Sequence, residues 1–292
     1  MAASGLSGPT PSTPSPGNIK AESDVLQRFR KTKGDADAKS RYLAVTVLTE
    51  VISEQRQQHG LNTSAPPTPT EYFGGCIVVL ESVAKQKQVT DQHVSFLFLL
   101  TVVLPSVPGG ILRKKSEECL RILASVLQAA QRLRNPLLLN RIDKYCIASV
   151  GICLNSVDHA NGAWMRRPIL SAYEILLKAL PDSRPKVRKT AQQAVLNILC
   201  QRCKDRTPHK LFSKVCISVL SSCSVTDCTS TMQLLSFLNQ ALPVLKSGSD
   251  KKVIVKEIVR LTGLHHNDLA RCALVTLNAY FSTSTTTHGK VR

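Results

Sequence analysis

With 292 residues and a net charge of +18, this chain is long enough to bury a sizeable core, and its surface attracts polyanions. Apolar residues at 43% exclude a wholly disordered chain, and aromatics at only 4% disfavour an aromatic-rich β-sandwich. Ten cysteines would suit a secreted disulfide framework only in a short chain with a signal peptide.

Residues 1–22 form a Pro/Ser/Thr-rich tract that cannot bury a core, and disorder is expected there. Thr10-Pro11, Thr13-Pro14 and Ser15-Pro16 in it could accept proline-directed phosphorylation. Met1 to Asn18 holds no apolar core of a signal peptide. Cys119, Cys146, Cys153, Cys200, Cys216 and Cys272 sit among Leu, Ile and Val, as small buried hydrophobes do, so a reducing compartment is expected.

A helical pattern begins near Ala36, and a polar, Pro-rich stretch from His59 to Pro69 reads as a long surface loop. Val94 to Leu104 is strongly apolar but too short to span a bilayer, and reads as a buried core helix. From Glu117 to Ala130, Cys119, Leu120, Leu123, Val126, Leu127 and Ala130 fall on one stripe at helical spacing. Ala191, Ala194, Val195, Ile198 and Leu199 make a second stripe, and Leu269, Ala273, Leu277 and Tyr280 a third. Breaks with Pro, Gly, Asn or Ser fall at Pro105–Gly110, Asn135-Pro136, Asn161-Gly162, Pro181–Pro185, Thr207-Pro208, Lys246–Asp250 and Thr262-Gly263. Residues 284–292 read as a polar tail. No window alternates at period two, so the expected fold is all-α, with ten or eleven helices. Their pairs recur every ~35–45 residues, near the period of HEAT and armadillo units. A solenoid of five to six helix pairs over residues 23–283 follows.

The sharpest local signal is Ala179-Leu180-Pro181-Asp182-Ser183-Arg184-Pro185-Lys186-Val187-Arg188-Lys189-Thr190-Ala191. A helix ends at Leu180, the turn supplies Asp182, and Pro185 opens the next helix, where its missing N–H costs nothing. An Asp in the turn and an Arg six residues later resemble a HEAT-repeat junction. That resemblance gives Asp182, Pro185 and Arg188 a structural, repeat-bridging role. The run from Arg184 to Gln192 further resembles the signature repeat of the ribosomal-RNA-processing protein 12 family. Leu48-Thr49-Glu50-Val51-Ile52, then Thr70-Glu71-Tyr72-Phe73, is similar to that family's N-terminal region in order and spacing. Met232-Gln233-Leu234-Leu235 and Leu242-Pro243 fit the repeat that follows. The resemblance implies a HEAT-repeat factor of small-subunit ribosome biogenesis. Its expected partners are pre-ribosomal particles and precursor rRNA, its location is the nucleus and nucleolus, and it is linked to nuclear export.

Between Arg184 and Lys214 stand nine Lys or Arg and a single acid, Asp205. Arg184, Lys186, Lys189, Arg202, Lys204, Arg206, Lys210 and Lys214 are the candidate polyanion-binding residues, set against the plainer reading of solvated helix ends. Phosphate contacts of this kind supply affinity without reading sequence. Acidic protein segments are a further expected partner class, whereas no membrane and no small-molecule substrate is expected. Trp164 beside Arg166 and Arg167 is either a small stacking patch or a residue packed between helices. Cys200-x-x-Cys203 lies within a helical pattern without a second tight pair, so zinc is not expected. At His265-His266-Asn267-Asp268 the expected role is helix capping by Asn267 or Asp268. No Walker loop, nucleophile elbow, HExxH or GxGxxG appears, so no catalytic residue, metal or cofactor is assigned and a non-enzymatic scaffold is expected. The competing function is a karyopherin-like transport adaptor binding protein cargo or a small GTPase.

Overall fold

A computed structural model describes residues 35–86, 89–157, 162–201 and 205–288; the expected 1–22 tail, Arg202, Cys203 and Lys204 lie outside them. Eleven α-helices and no strand occur among the described residues. The first five are α1 (Asp35–Gln58), α2 (Pro69–Gln86), α3 (Asp91–Val103), α4 (Gly109–Ala130) and α5 (Pro136–Asn155). They are followed by α6 (Arg167–Lys178), α7 (Pro185–Cys200) and α8 (Thr207–Ser221). The last three are α9 (Thr229–Val244), α10 (Gly248–Thr262) and α11 (Asn267–His288). The α11 backbone stays helical into the segment 284–292 that reads as a polar tail.

Each helix packs on the next but one and, apart from α3–α4 and α9–α10, on the next as well. The odd-numbered helices therefore stack into one layer, α1 on α3 on α5 on α7 on α9 on α11, and the even-numbered ones into a second. This is an all-α HEAT/armadillo-type solenoid. Its turns alternate between two edges: the α6–α7 turn lies at one and the α7–α8 turn at the other.

The stripes explain the layers. Cys119, Leu120, Leu123, Val126 and Ala130 of α4 are buried, as are Ala191, Ala194, Val195, Ile198 and Leu199 of α7. Leu127 and Tyr280 pack against the core from half-buried positions. One continuous apolar cluster runs from Ala44 to Leu277. Each fully buried Leu, Ile or Val in it contributes about 1.5–3 kcal/mol over an exposed one. The apolar run in α3 buries Val94, Phe96, Leu97, Leu99, Leu100 and Val103, and no helix is long and apolar enough to cross a membrane among the described residues.

Helix starts follow the expected chemistry in several places. Pro136, Pro168, Pro185 and Pro208 sit in first turns, and the Asn135 side chain accepts the backbone N–H groups of Leu137 and Leu138 at 3.0 and 3.2 Å. At α11 the cap differs from expectation. His266, one residue before the helix, accepts the Leu269 N–H on Nδ1 at 3.2 Å, because its ring reaches the position that Asn267 and Asp268 occupy too late to cap. Cys200 is exposed at the last residue of α7 and Cys272 is half-buried, so among the described residues burial of the cysteines is complete only at Cys76, Cys119, Cys146, Cys153 and Cys216, and nearly so at Cys228.

Candidate polyanion-binding surface

The α6–α7 turn is held by Asp182. Its carboxylate accepts the Arg184 backbone N–H at 2.8 Å, which closes the turn and swings the Arg184 side chain back onto the same acid. Arg184 then donates from Nε and Nη2 to the two Asp182 oxygens at 2.9 and 2.8 Å, and from Nη1 to Asp143 of α5 at 2.6 Å. Arg188 donates to the carbonyls of Asp182 and Ser183, both in its own turn. The bridge between successive helix pairs thus runs from Arg184 to Asp143, while Arg188 caps the turn. Burial alone would raise the Asp182 carboxyl, but the bonds and charge of Arg184 outweigh it and hold the group below its ordinary value. Asp143 is more deeply placed, and burial pushes its carboxyl up despite Arg184. Arg184 is neutralised by two acids and is not an open anion site.

One turn further along α7, Lys186 and Lys189 are exposed. Lys186 faces Lys144 of α5, and burial, then the charges of Lys186 and Arg141, push the Lys144 ammonium down. Three cations from two stacked odd helices therefore repel one another at this edge. An anion seated among them would relieve that repulsion. Arg141 and Lys144 escaped sequence reasoning because they lie about forty residues upstream of Lys186, and only the stacking of α5 on α7 joins them. Their i, i+3 spacing was the available signal.

The remaining candidates lie elsewhere. Helix α7 is ~24 Å long at 1.5 Å per residue, so its far end carries Arg206 to the opposite edge. From there Arg206, Lys210 and Lys214, all exposed, follow one stripe of α8 in the even layer. Lys246 and Lys251 join this second group through the α9–α10 turn, and Lys246 donates to the Gln201 carbonyl at 3.3 Å. Next to them His209 is almost fully buried; burial, then the charges of Lys246 and Lys251, push its imidazole down to about 4. The sequence cluster is thus two separate basic surfaces on different layers, each completed by lysines that the sequence does not place beside it.

Trp164 belongs to the core: it is 1% exposed and meets Tyr173 edge-on at 5.4 Å between ring centroids. It offers no face for a stacked base. No group of three or more His, Cys, Asp or Glu is arranged to hold a metal among the described residues.

The model of the RRP12-like N-terminal HEAT repeats matches residues 22–288. The chain belongs to the RRP12-like family. It is 26% identical over 268 residues to the RRP12-like protein of Gallus gallus, covering 88% of this chain and 19% of that protein. Against the RRP12-like protein of Homo sapiens it is 25% identical over 264 residues, again covering 88% of this chain and 19% of the relative. The chain thus spans about a fifth of the length of these RRP12-like relatives. Among solved structures, a designed armadillo repeat protein aligns over 88% of this chain and 98% of its own, with 11% identity and a TM-score of 0.37.

Proposed function

We propose that this chain is a non-enzymatic helical-repeat scaffold of ribosome biogenesis that associates with pre-small-subunit particles and precursor rRNA. In this reading it supports rRNA processing and nuclear export from the nucleus and nucleolus. The observation that carries the reading is the match to the RRP12-like N-terminal HEAT repeats across residues 22–288. The charge arrangement supports it: Arg141, Lys144 and Lys186 gather at one cationic edge, with the exposed Lys189 on the same helix as Lys186. Lys210 and Lys214, with Arg206 at the head of the stripe, offer a second contact with phosphates, to which Arg202 and Lys204 are assigned from sequence alone. The two surfaces are ~24 Å apart, so a folded RNA or a particle surface suits them better than a short single strand.

The test is sedimentation of the tagged chain from cell lysate on a sucrose gradient, with fractions probed for small-subunit rRNA precursor. Co-migration is expected, and it is expected to be lost in a Lys144→Glu/Lys186→Glu double variant and to weaken as salt is raised. Recovery solely in light fractions at low salt would remove the ribosomal reading and leave the transport adaptor in its place.

A further inference from the structure

Even-numbered helices α2, α4 and α6 leave a groove of about 520 Å³ on their common outer surface. Its rim carries Lys85 from α2, Arg121 from α4 and Arg167 from α6, with Ser125 and Ser171 one turn beyond the two arginines. Its floor is aliphatic, made by Ala84, Ile122, Ala124 and Pro168. The acids nearby are already engaged. Glu81 pairs with Lys85 at 3.2 Å, and Glu117 takes Arg166 at 2.5 Å. Arg121 and Arg167 make no ion pair among the described residues, and both are exposed. Arg167 also stands in the first turn of α6, where the positive end of the helix dipole adds to its field.

We infer that this groove binds an acidic protein segment in extended form, with carboxylates on Arg121 and Arg167 and an aliphatic side chain against Ala124 and Pro168. The guanidinium fork suits a carboxylate bidentately. Neighbouring even helices stand ~8–10 Å apart, so the two arginines are spaced like carboxylates three residues apart on a polyproline-II-type extended chain, where positions i and i+3 share a face at ~3.1 Å rise per residue. The floor favours a peptide over RNA: phosphates have no use for an aliphatic strip, and the lining offers no aromatic ring on which a base could stack. This inference is independent of the ribosomal reading. It gives the scaffold a protein-docking site distinct from its polyanion edge.

The test is fluorescence anisotropy of the whole chain with a labelled peptide that repeats Glu-Glu-Leu over about twelve residues. Saturable binding is expected, weakened about tenfold or more by Arg121→Glu/Arg167→Glu. Ser171→Trp, which fills the groove without changing charge, is expected to weaken it similarly, while Lys186→Glu leaves it intact. All four positions are exposed, and helicity and melting of each variant serve as the folding control; Arg121→Ala/Arg167→Ala replaces the reversal if that variant unfolds. Oligouridylate of the same length is expected not to displace the peptide. Absence of saturable binding, equal binding by the arginine variants, or displacement by oligouridylate at matched concentration would each overturn the inference. None of these outcomes alters gradient migration, which reads the Lys144–Lys186 edge separately.

Discussion

Gly151 sits where α5 and α7 approach most closely. A Cβ added there would lie 2.5 Å from the Ala194 Cβ, and a methyl on a packed helix cannot swing aside as a long side chain does. Gly151→Ala is therefore expected to destabilise by ~1–3 kcal/mol through overpacking, despite the better helix propensity of alanine. Gly74, in α2, has nothing within 4 Å of the same added atom, so Gly74→Ala should be neutral or stabilising by ~0.5–1 kcal/mol. Chemical denaturation of the pair decides this; equal effects would show that the helix contact is not tight. The sequence shows both glycines within apolar patterns and does not separate them, since the difference lies in a residue forty-three positions away. The same limit explains the arginines of the α6–α7 turn. Spacing picks out Asp182 and Arg188, whereas the tight turn closed by the Arg184 N–H and the presence of Asp143 on α5 hand the bridge to Arg184.

At the scale of elements, the connection from α1 to α2 is the longest described loop before α3, and Arg56 fastens it. Its guanidinium donates to both Glu71 oxygens, at 2.6 and 2.8 Å, and to the carbonyls of Asn62, Ala65 and Pro66. Glu71 in turn accepts the Thr68 N–H at 2.7 Å and its hydroxyl at 2.8 Å, capping the start of α2. Truncation to Arg56→Ala leaves three loop carbonyls and a carboxylate without their donor, at a cost of ~1–3 kcal/mol. Burial would raise the Glu71 carboxyl, but the bonds from Arg56 and Thr68 outweigh it and hold it below its ordinary 4.5. A lowered carboxylate contributes stability in full above its unfolded value and loses it as pH falls through its folded value. Thermal melts should therefore show a loss of stability below 4.5 that is smaller in Glu71→Gln; an unchanged acid slope would refute the coupling. The polar, Pro-rich composition of 59–69 marks the loop in the sequence. The hub does not show there, because Arg56 and Glu71 each look like ordinary charges on helix ends.

Across the whole molecule, stacking makes stability local. Helix α5 is flanked by α3, α4, α6 and α7, whereas α11 rests on α9 and α10, and α1 on α2 and α3. In a linear array each unit draws stability from its neighbours, so the ends open at lower cost than the middle. Amide hydrogen exchange is expected to be slowest in α5 and faster in α1 and α11; uniform protection would mean that the array unfolds as a single unit. A count of ten or eleven helices, most of their breaks and the layered class were legible in the sequence, because helical periodicity and Pro, Gly and Asn punctuation are local properties of the chain; the α2–α3 and α8–α9 breaks, which carry no Pro or Gly among the described residues, were not. The family was legible at the 184–192 turn for the same reason. Which charges share a surface was decided by tertiary structure alone: Lys186 meets Lys144, Arg206 is carried to the other edge, and Arg121 reaches Arg167 across a groove. Stacking every second helix brings together residues some forty positions apart, and no local pattern in a sequence encodes a distance of that kind.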